Sequence, residues 1–177
     1  MLEQIRQRII DTFGEEVLKK PFGSIVHLPE FEEEFLSVLA KISPVPNVMV
    51  KIGTCSGVST TYFSQWASHI STYDIKNVKI KYKIWELFNL KNISCCSVQS
   101  DIIPKLIANE KFDFAFVDGA HDYESVVKDI AMVKRCRRIL FHDYYSLEVQ
   151  KAVNSLIATD GGKLKIETNN FAYWEKI

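Results

Sequence analysis

The chain has 177 residues, 47% of them hydrophobic and 25% charged, enough for one substantial core and too short for two ordinary domains. Lys+Arg and Asp+Glu both number 22, so the formal net charge is zero and no global field draws the protein to nucleic acid or to an anionic membrane; any anionic ligand has to be held locally. The cysteines Cys55, Cys95, Cys96 and Cys136 form no CxxC pair, no run of about 18 apolar residues occurs, and the N-terminus is amphipathic rather than a leader, which together predict a soluble, cytoplasmic protein without a disulfide framework.

At the N-terminus, helical spacing puts Ile5, Ile9, Ile10 and Phe13 on one face. The connection KKPFGSIVHLPE carries Pro and Gly and leads to EFEEEFLSVLAKI, where Phe31, Phe35, Val38, Leu39 and Ile42 recur at helical spacing and the acids crowd the first turn, as suits a helix dipole. Residues 1–43 are thus predicted as a helical lead to a core at 48–177, all in one domain. Two uses are open to these helices: covering a pocket, or pairing with a second copy in a homo-oligomer. His27, in the connection, is either a plain loop residue or part of a substrate pocket.

From Val48 the rhythm changes to short apolar runs alternating with amphipathic stretches: VMVKI, HISTYD, ISCCSV, FDFAFV and RILFH, each followed by a helical segment. Five such steps predict an α/β fold, a Rossmann-like, mostly parallel sheet with helices on both faces. The last two runs, KLKIET and FAYWEKI, flank Asn169-Asn170 and predict a closing antiparallel hairpin. The tryptophans Trp66, Trp85 and Trp174 fall at core-like positions, and KRCRR before Ile139 reads as a solvated turn.

The string VMVKIGTCSGVST sets a strand against a glycine loop and a helix start. Gly53 lets backbone approach a ligand closely, Cys55 takes the middle slot of the fingerprint, and free N–H groups near Gly57 suit an anionic group such as a carboxylate. Two glycines alone also fit an ordinary βα turn. Asp74 follows 21 positions after Gly53 at the end of the second strand, where an acid grips ribose hydroxyls or, alternatively, caps the next helix. In an open parallel sheet, ligands lie beyond the carboxyl ends of the strands, so Ser100, Asp101, Asp118 and His121 should border one crevice, with His142 and Asp143 from the fifth strand. Carboxylates and imidazoles converging from two strand ends suit a divalent cation, with Mg, Mn, Fe and Zn not separable.

KIGTCSGVST, TYDI, FVDGAHDYESVVKDI and ILFHDY, in this order and spacing from Val48 to Tyr144, are similar to class I S-adenosylmethionine-dependent methyltransferases of the group that includes macrocin O-methyltransferase-like and cephalosporin hydroxylase-type proteins. A more distant likeness is to catechol O-methyltransferase. The resemblance implies a seven-stranded sheet with an antiparallel last strand and methyl transfer from S-adenosylmethionine to a small-molecule acceptor. It implies that Gly53, Thr54, Cys55 and Gly57 cradle the methionine part of the cofactor, that Asp74 holds the ribose, and that Ser100 with Asp101 borders the adenine. Asp118 would stand on both the cofactor and the metal side, with His142 and Asp143 completing the cation site and His121 or His142 taking the acceptor's proton.

One position departs from this pattern. Family members usually carry an acid two residues before the first glycine, where it attracts the cofactor's ammonium, and here that residue is Lys51. Two cations about 4 Å apart repel by roughly 4 kcal/mol at an effective dielectric of 20. Lys51 must therefore point away, be offset by an acid such as Asp74 or Asp101, or mark a pocket adapted to another ligand. The last case leads to the alternative of a non-catalytic ligand-binding or interaction domain; an NAD-dependent oxidoreductase is disfavoured by the missing third glycine.

Overall fold

The structure is a computed structural model that describes residues 4–19, 25–98 and 101–177. Its lead is α1 (Ile5–Phe13), a 3₁₀ turn at Glu15–Leu18 and α2 (Pro29–Lys41), whose proline sits in the first turn where no N–H is needed. Then follow β1 (Val48–Ile52), α3 (Val58–Ser64), β2 (His69–Asp74), α4 (Ile80–Leu87), β3 (Ile93–Ser97), α5 (Ile103–Ile107), β4 (Phe114–Val117), α6 (Tyr123–Val133), β5 (Arg138–Phe141), α7 (Leu147–Asp160), β6 (Lys163–Glu167) and β7 (Ala172–Glu175).

The strands form a seven-stranded sheet in the order β3-β2-β1-β4-β5-β7-β6. β1 to β5 pair in parallel, while β7 runs antiparallel to both β5 and β6, so the expected parallel core and closing hairpin are both present. Side-chain alternation splits the core in two. Phe114 and Phe116 of β4 pack with Met49, Ile70 and Tyr173 under α1, α2, α3 and α4; Ala115 and Val117 face the other way, with Val50, Ile139 and Trp174 under α5, α6 and α7. The chain leaves β1 toward β2 on one side and returns to β4 on the other. The crevice beyond the ends of β1 and β4 is therefore the topological switch point, where ligands of such sheets bind.

The lead is anchored to the core through acids of α2. Glu32 accepts a hydrogen bond from Tyr62 of α3, and Glu34 accepts from the backbone N–H and side-chain amide of Asn170 in the β6–β7 turn. The basic run before β5 is the solvated turn its composition suggests at Lys134, Arg135 and Arg137, which are exposed, and departs from it at its last residue. Arg138 is buried, its guanidinium donating to the carbonyls of Pro44 and Asp113, because β5 begins there and carries the side chain under the loop that precedes β1. Among the described residues, no helix is long and apolar enough to cross a membrane.

Gly53 is the tightest point of the loop after β1. Its N–H donates to the carbonyl of Tyr73 at 2.8 Å, its φ is +88°, and a Cβ there would stand 2.0 Å from the backbone oxygen of Asp118. Neither backbone can yield. Gly53→Ala is expected to cost about 3 kcal/mol, from a positive φ plus a backbone clash, read as a lower denaturant midpoint; an unchanged midpoint would show the loop to be plastic.

Candidate functional site

Parallel strands deliver their C-terminal residues to one rim, and the site is built there. The loop after β1 is held by Asp74 at the end of β2, whose Oδ2 accepts from the N–H groups of Thr54 and Cys55, both at 2.7 Å, while Oδ1 accepts from the N–H of Lys76 at 2.7 Å. Asp74 thus stands at the predicted place and shapes the loop. Two N–H groups that a ligand carboxylate could have used are already satisfied by it. Cys55 takes a left-handed φ of 46° to make this turn. Gly57, also left-handed, is packed beneath the side chains of Lys81 and Trp85, and its carbonyl accepts from Trp85 Nε1 at 3.1 Å. These contacts pack the loop against α4.

Lys51 is fully buried, its register partner on β4 is Phe116, and its Nζ lies 4.7 Å from the centre of that ring. The ammonium donates to the carbonyl of Gly53 and to Asp118 Oδ2 at 3.2 Å. The expected repulsion of a cofactor ammonium therefore does not arise in the form the sequence suggests. The lysine points under the loop, and Asp118, rather than Asp74 or Asp101, offsets its charge.

Asp118 links this lysine to the β5 end. His142 Nδ1 lies 3.0 Å from Asp118 Oδ1 and 2.8 Å from Asp143 Oδ2, yet it is in hydrogen-bond geometry with neither. Asp143 Oδ2 also meets His121 Nε2 at 2.7 Å. Asp143 sits at φ 54°, a left-handed strain that aspartate tolerates better than most residues and that turns its carboxylate back toward the two imidazoles.

The electrostatics follow from these contacts. Burial works against charge on His142, but the charges of Asp118 and then Asp143 outweigh it and raise the pKa to about 9. Burial would raise the pKa of Asp118 and Asp143; Lys51 and His142 overcome it for Asp118, and His121 with His142 overcome it for Asp143, so both carboxyls are held below the usual range. The hydrogen bond to Asp143 raises the pKa of half-exposed His121 against the opposing effect of burial. At neutral pH the cluster is a near-balanced set of acids and cations on the crevice floor.

Cavities open on either side of this floor. One, of about 470 Å³, is lined by Gly53, Cys55, Tyr73, Asp74, Asp118 and Gly119 at the strand ends, by Ile75 and Ile103, and by Ser125, Lys128 and Asp129 on α6. Another, of about 490 Å³, is lined by Thr54, Cys55, Asp118, His121, His142, Asp143 and Tyr145, and is closed by Leu18, Lys19, Ile25 and His27 from the lead. The structure thus brings Gly53, Thr54, Cys55, Asp74, Asp118, His121, His142 and Asp143 to one crevice and puts His27 on its wall. Asp101 lines an adjoining cleft between α5 and α6 instead, and Ser100 lies outside the described residues.

Sequence reasoning missed Ser125, Lys128 and Asp129. The signal was available for Asp129: Val126, Asp129, Ile130 and Val133 form the buried stripe of α6, and an acid within an apolar stripe marks either a buried partner or a cavity.

Solved structures carry the same architecture. A candidate caffeoyl-CoA O-methyltransferase from Staphylococcus aureus aligns with a TM-score of 0.67 at 12% identity, covering 96% of this chain and 91% of that one. A candidate methyltransferase from Streptococcus mutans in complex with SAH aligns at 0.64 and 15% identity, covering 81% and 97%. A TDP-rhamnose 3'-O-methyltransferase of calicheamicin biosynthesis aligns at 0.63 and 13% identity, covering 98% and 92%. At these identities the likeness is one of fold. No curated protein matches the chain in sequence. A family model described as a methyltransferase domain matches residues 50–144, more than half of the chain and the stretch that carries the glycine loop, Asp74, Asp118, His121, His142 and Asp143. The chain belongs to this family of methyltransferase domains.

Proposed function

We propose that the protein transfers the methyl group of S-adenosylmethionine to a hydroxyl oxygen of a small acceptor. The observation that carries this reading is that the two cavities share the walls formed by Cys55, Asp118 and Gly119. A donor in the first and an acceptor in the second would meet there, as in-line displacement at a methyl carbon requires. That similar folds have been solved with SAH and include an O-methyltransferase supports the choice of donor and of oxygen.

On the donor side, Asp74 has one lone pair left, on Oδ1, after accepting from three backbone N–H groups, and it suits a ribose hydroxyl. On the acceptor side the cavity has the volume of a small-molecule site. His121 is the base in this reading: Nε2 is held by Asp143, which leaves Nδ1 to take the hydroxyl proton as the carbon–oxygen bond forms and the carbon–sulfur bond breaks. The lead supplies a cover, through Leu18 and Ile25, that keeps water from the transferring group.

The acceptor side also fits a divalent cation. Ligand atoms of Asp118, His142 and Asp143 lie within 4.8 Å of one another, and His142 Nδ1 is a buried nitrogen without a hydrogen bond, aimed between two carboxylates. An ion held by these residues would displace the proton that the two carboxylates keep on His142 and would supply Lewis acidity toward the acceptor oxygen.

The test is calorimetry with S-adenosylhomocysteine, followed by transfer of labelled methyl to a panel of hydroxylated small molecules. Binding in the wild type and at least a tenfold loss in Asp74→Ala are expected; no binding at millimolar ligand would overturn the reading. His121→Ala is expected to keep donor affinity and lose about 100-fold in turnover. Chelation should lower turnover at least tenfold, with recovery on adding Mg or Mn; a rate indifferent to chelator would remove the cation from the scheme.

A further inference from the structure

The two edges of the sheet are unlike. At one end β6 presents exposed Lys163, Lys165 and Glu167 and an irregular register against β7 between Leu164 and Ile166, features that keep an edge from pairing with another chain. At the other end β3 has none of these: Asn92 to Val98 includes no charged residue, and no side chain of the strand is fully buried. The bonds at its two ends fix which backbone groups are open. The carbonyl of Asn92 accepts from Ile70 and the N–H of Val98 donates to Asp74, so the even-numbered residues ladder to β2. The N–H and C=O groups of Ile93, Cys95 and Ser97 point outward, and among the described residues nothing pairs with them.

Apolar side chains flank this edge on both faces of the sheet. On α5, Ile103 and Ile107 are buried, and Pro104 and Ala108 line the cleft toward α6. Ile102 and Leu106 occupy the opposite flank, 39% and 43% exposed, which the strand order turns toward β3. On the other face Lys81 of α4 donates to Ser97 Oγ at 3.3 Å, which sets this helix over β3, and its neighbour Tyr82 is exposed. Lys79, Tyr82, Lys83 and Glu86 recur at helical spacing on one exposed face of α4.

We propose that the β3 edge is an interface with a second copy of this chain, the two β3 strands pairing antiparallel about a two-fold axis at Cys95. The open groups are symmetric about that residue. Turned antiparallel, Ile93 meets Ser97 of the second copy and Cys95 meets its equivalent, so every outward N–H finds an outward carbonyl. The helices are antiparallel across the same axis, which sets Glu86 at the end of one α4 toward Lys79 at the start of the other. A stable dimer needs about 800 Å² from each partner, more than a short strand offers, and the flanks of α4 and α5 extend the contact on both faces. The doubled sheet then ends on β6 at both sides, the edge that is already guarded. The helical lead, the other element open to pairing from the sequence, lies over the acceptor cavity.

The test is the oligomeric state by light scattering after size exclusion, with cross-linking to read the register. The wild type should run at twice the mass of the chain; a monomer at about 100 µM would overturn the proposal. Ile102→Glu with Leu106→Glu alters exposed positions only, and should weaken dimerisation at least about tenfold while leaving the melting temperature of the monomer unchanged. Cys95→Pro removes an outward N–H that β2 does not use, and should act in the same direction. Ser94→Cys should form a disulfide-linked dimer through Cys96 of the second copy, since these two positions face each other as a pair without hydrogen bonds, about 4.5 Å apart at Cα. The same variant with Cys96→Ser should not cross-link. A dimer that survives both edge variants and gives no Ser94→Cys cross-link would place the interface elsewhere and overturn the proposal, with the methyl-transfer reading untouched.

Discussion

Asp118→Asn should abolish methyl transfer, by more than about 100-fold, and at the same time cost about 3–5 kcal/mol of stability. The two losses have different origins. Asp118 is the counter-ion of Lys51, whose side chain is fully buried between the glycine loop and the Phe116 ring. Neutralising the acid strands the ammonium in the core, and breaking a buried pair from one side is far more damaging than removing both partners. The other carboxylate oxygen faces His142, and the group lines both cavities, so the site loses its central charge as well.

The double variant Lys51→Met with Asp118→Asn separates these origins. It should recover most of the stability, since an apolar chain of similar length replaces the stranded cation, and recover none of the turnover. A double variant that regained activity would remove Asp118 from the chemistry; a stable Asp118→Asn single variant would remove the buried pair from the stability argument. Lys51→Glu, which restores the acid that the family carries at this place, should fail to fold well, because two buried carboxylates would then face each other where a salt bridge now stands.

Asp129→Asn should stabilise the protein, and increasingly so as the pH rises. The native pKa of Asp129 is raised to about 7 from an ordinary 3.8, chiefly by burial. A raised native pKa means that folding favours the protonated form. The stabilising contribution of that proton is complete below about pH 4 and is lost as pH rises through about 7, where the native carboxyl is forced to ionise in its buried setting. Asparagine carries no such charge. The melting temperatures of the two proteins should be close at pH 4.5 and diverge by pH 8.5. There the variant should gain roughly 2–4 kcal/mol, with the upper figure set by three pH units at 1.36 kcal/mol each. A difference that did not change with pH would show that the carboxyl ionises in the native state as freely as in water.

The two variants share a feature that bears on how the site reads in the sequence. The acids and imidazoles at the ends of β4 and β5 were legible, because parallel strands must bring Asp118, His121, His142 and Asp143 to one rim whatever the details of packing. The position of Asp74 was legible for the same reason, from its distance after Gly53 at a strand end. Its work on the loop N–H groups was not, because the course of the loop depends on the contact between Gly53 and the backbone of Asp118. Asp101 was less legible: the family resemblance puts an adenine contact at its place after β3, and in the structure it lines the cleft between α5 and α6.

The amino-acid sequence by itself determined the alternation of strand and helix, the closing hairpin and the rim on which the chemistry sits, because side-chain periodicity and chain direction are local properties that survive any choice of packing. The tertiary structure decided the meaning of Lys51. Read along the chain, it is a cation two residues before a glycine loop, set against the cofactor's ammonium. Read across the sheet, it lies opposite Phe116 on β4, and the chain two residues further delivers Asp118 to its Nζ. That pairing spans 67 residues and exists only because β1 and β4 are neighbours at the switch point, so no window on the sequence contains it.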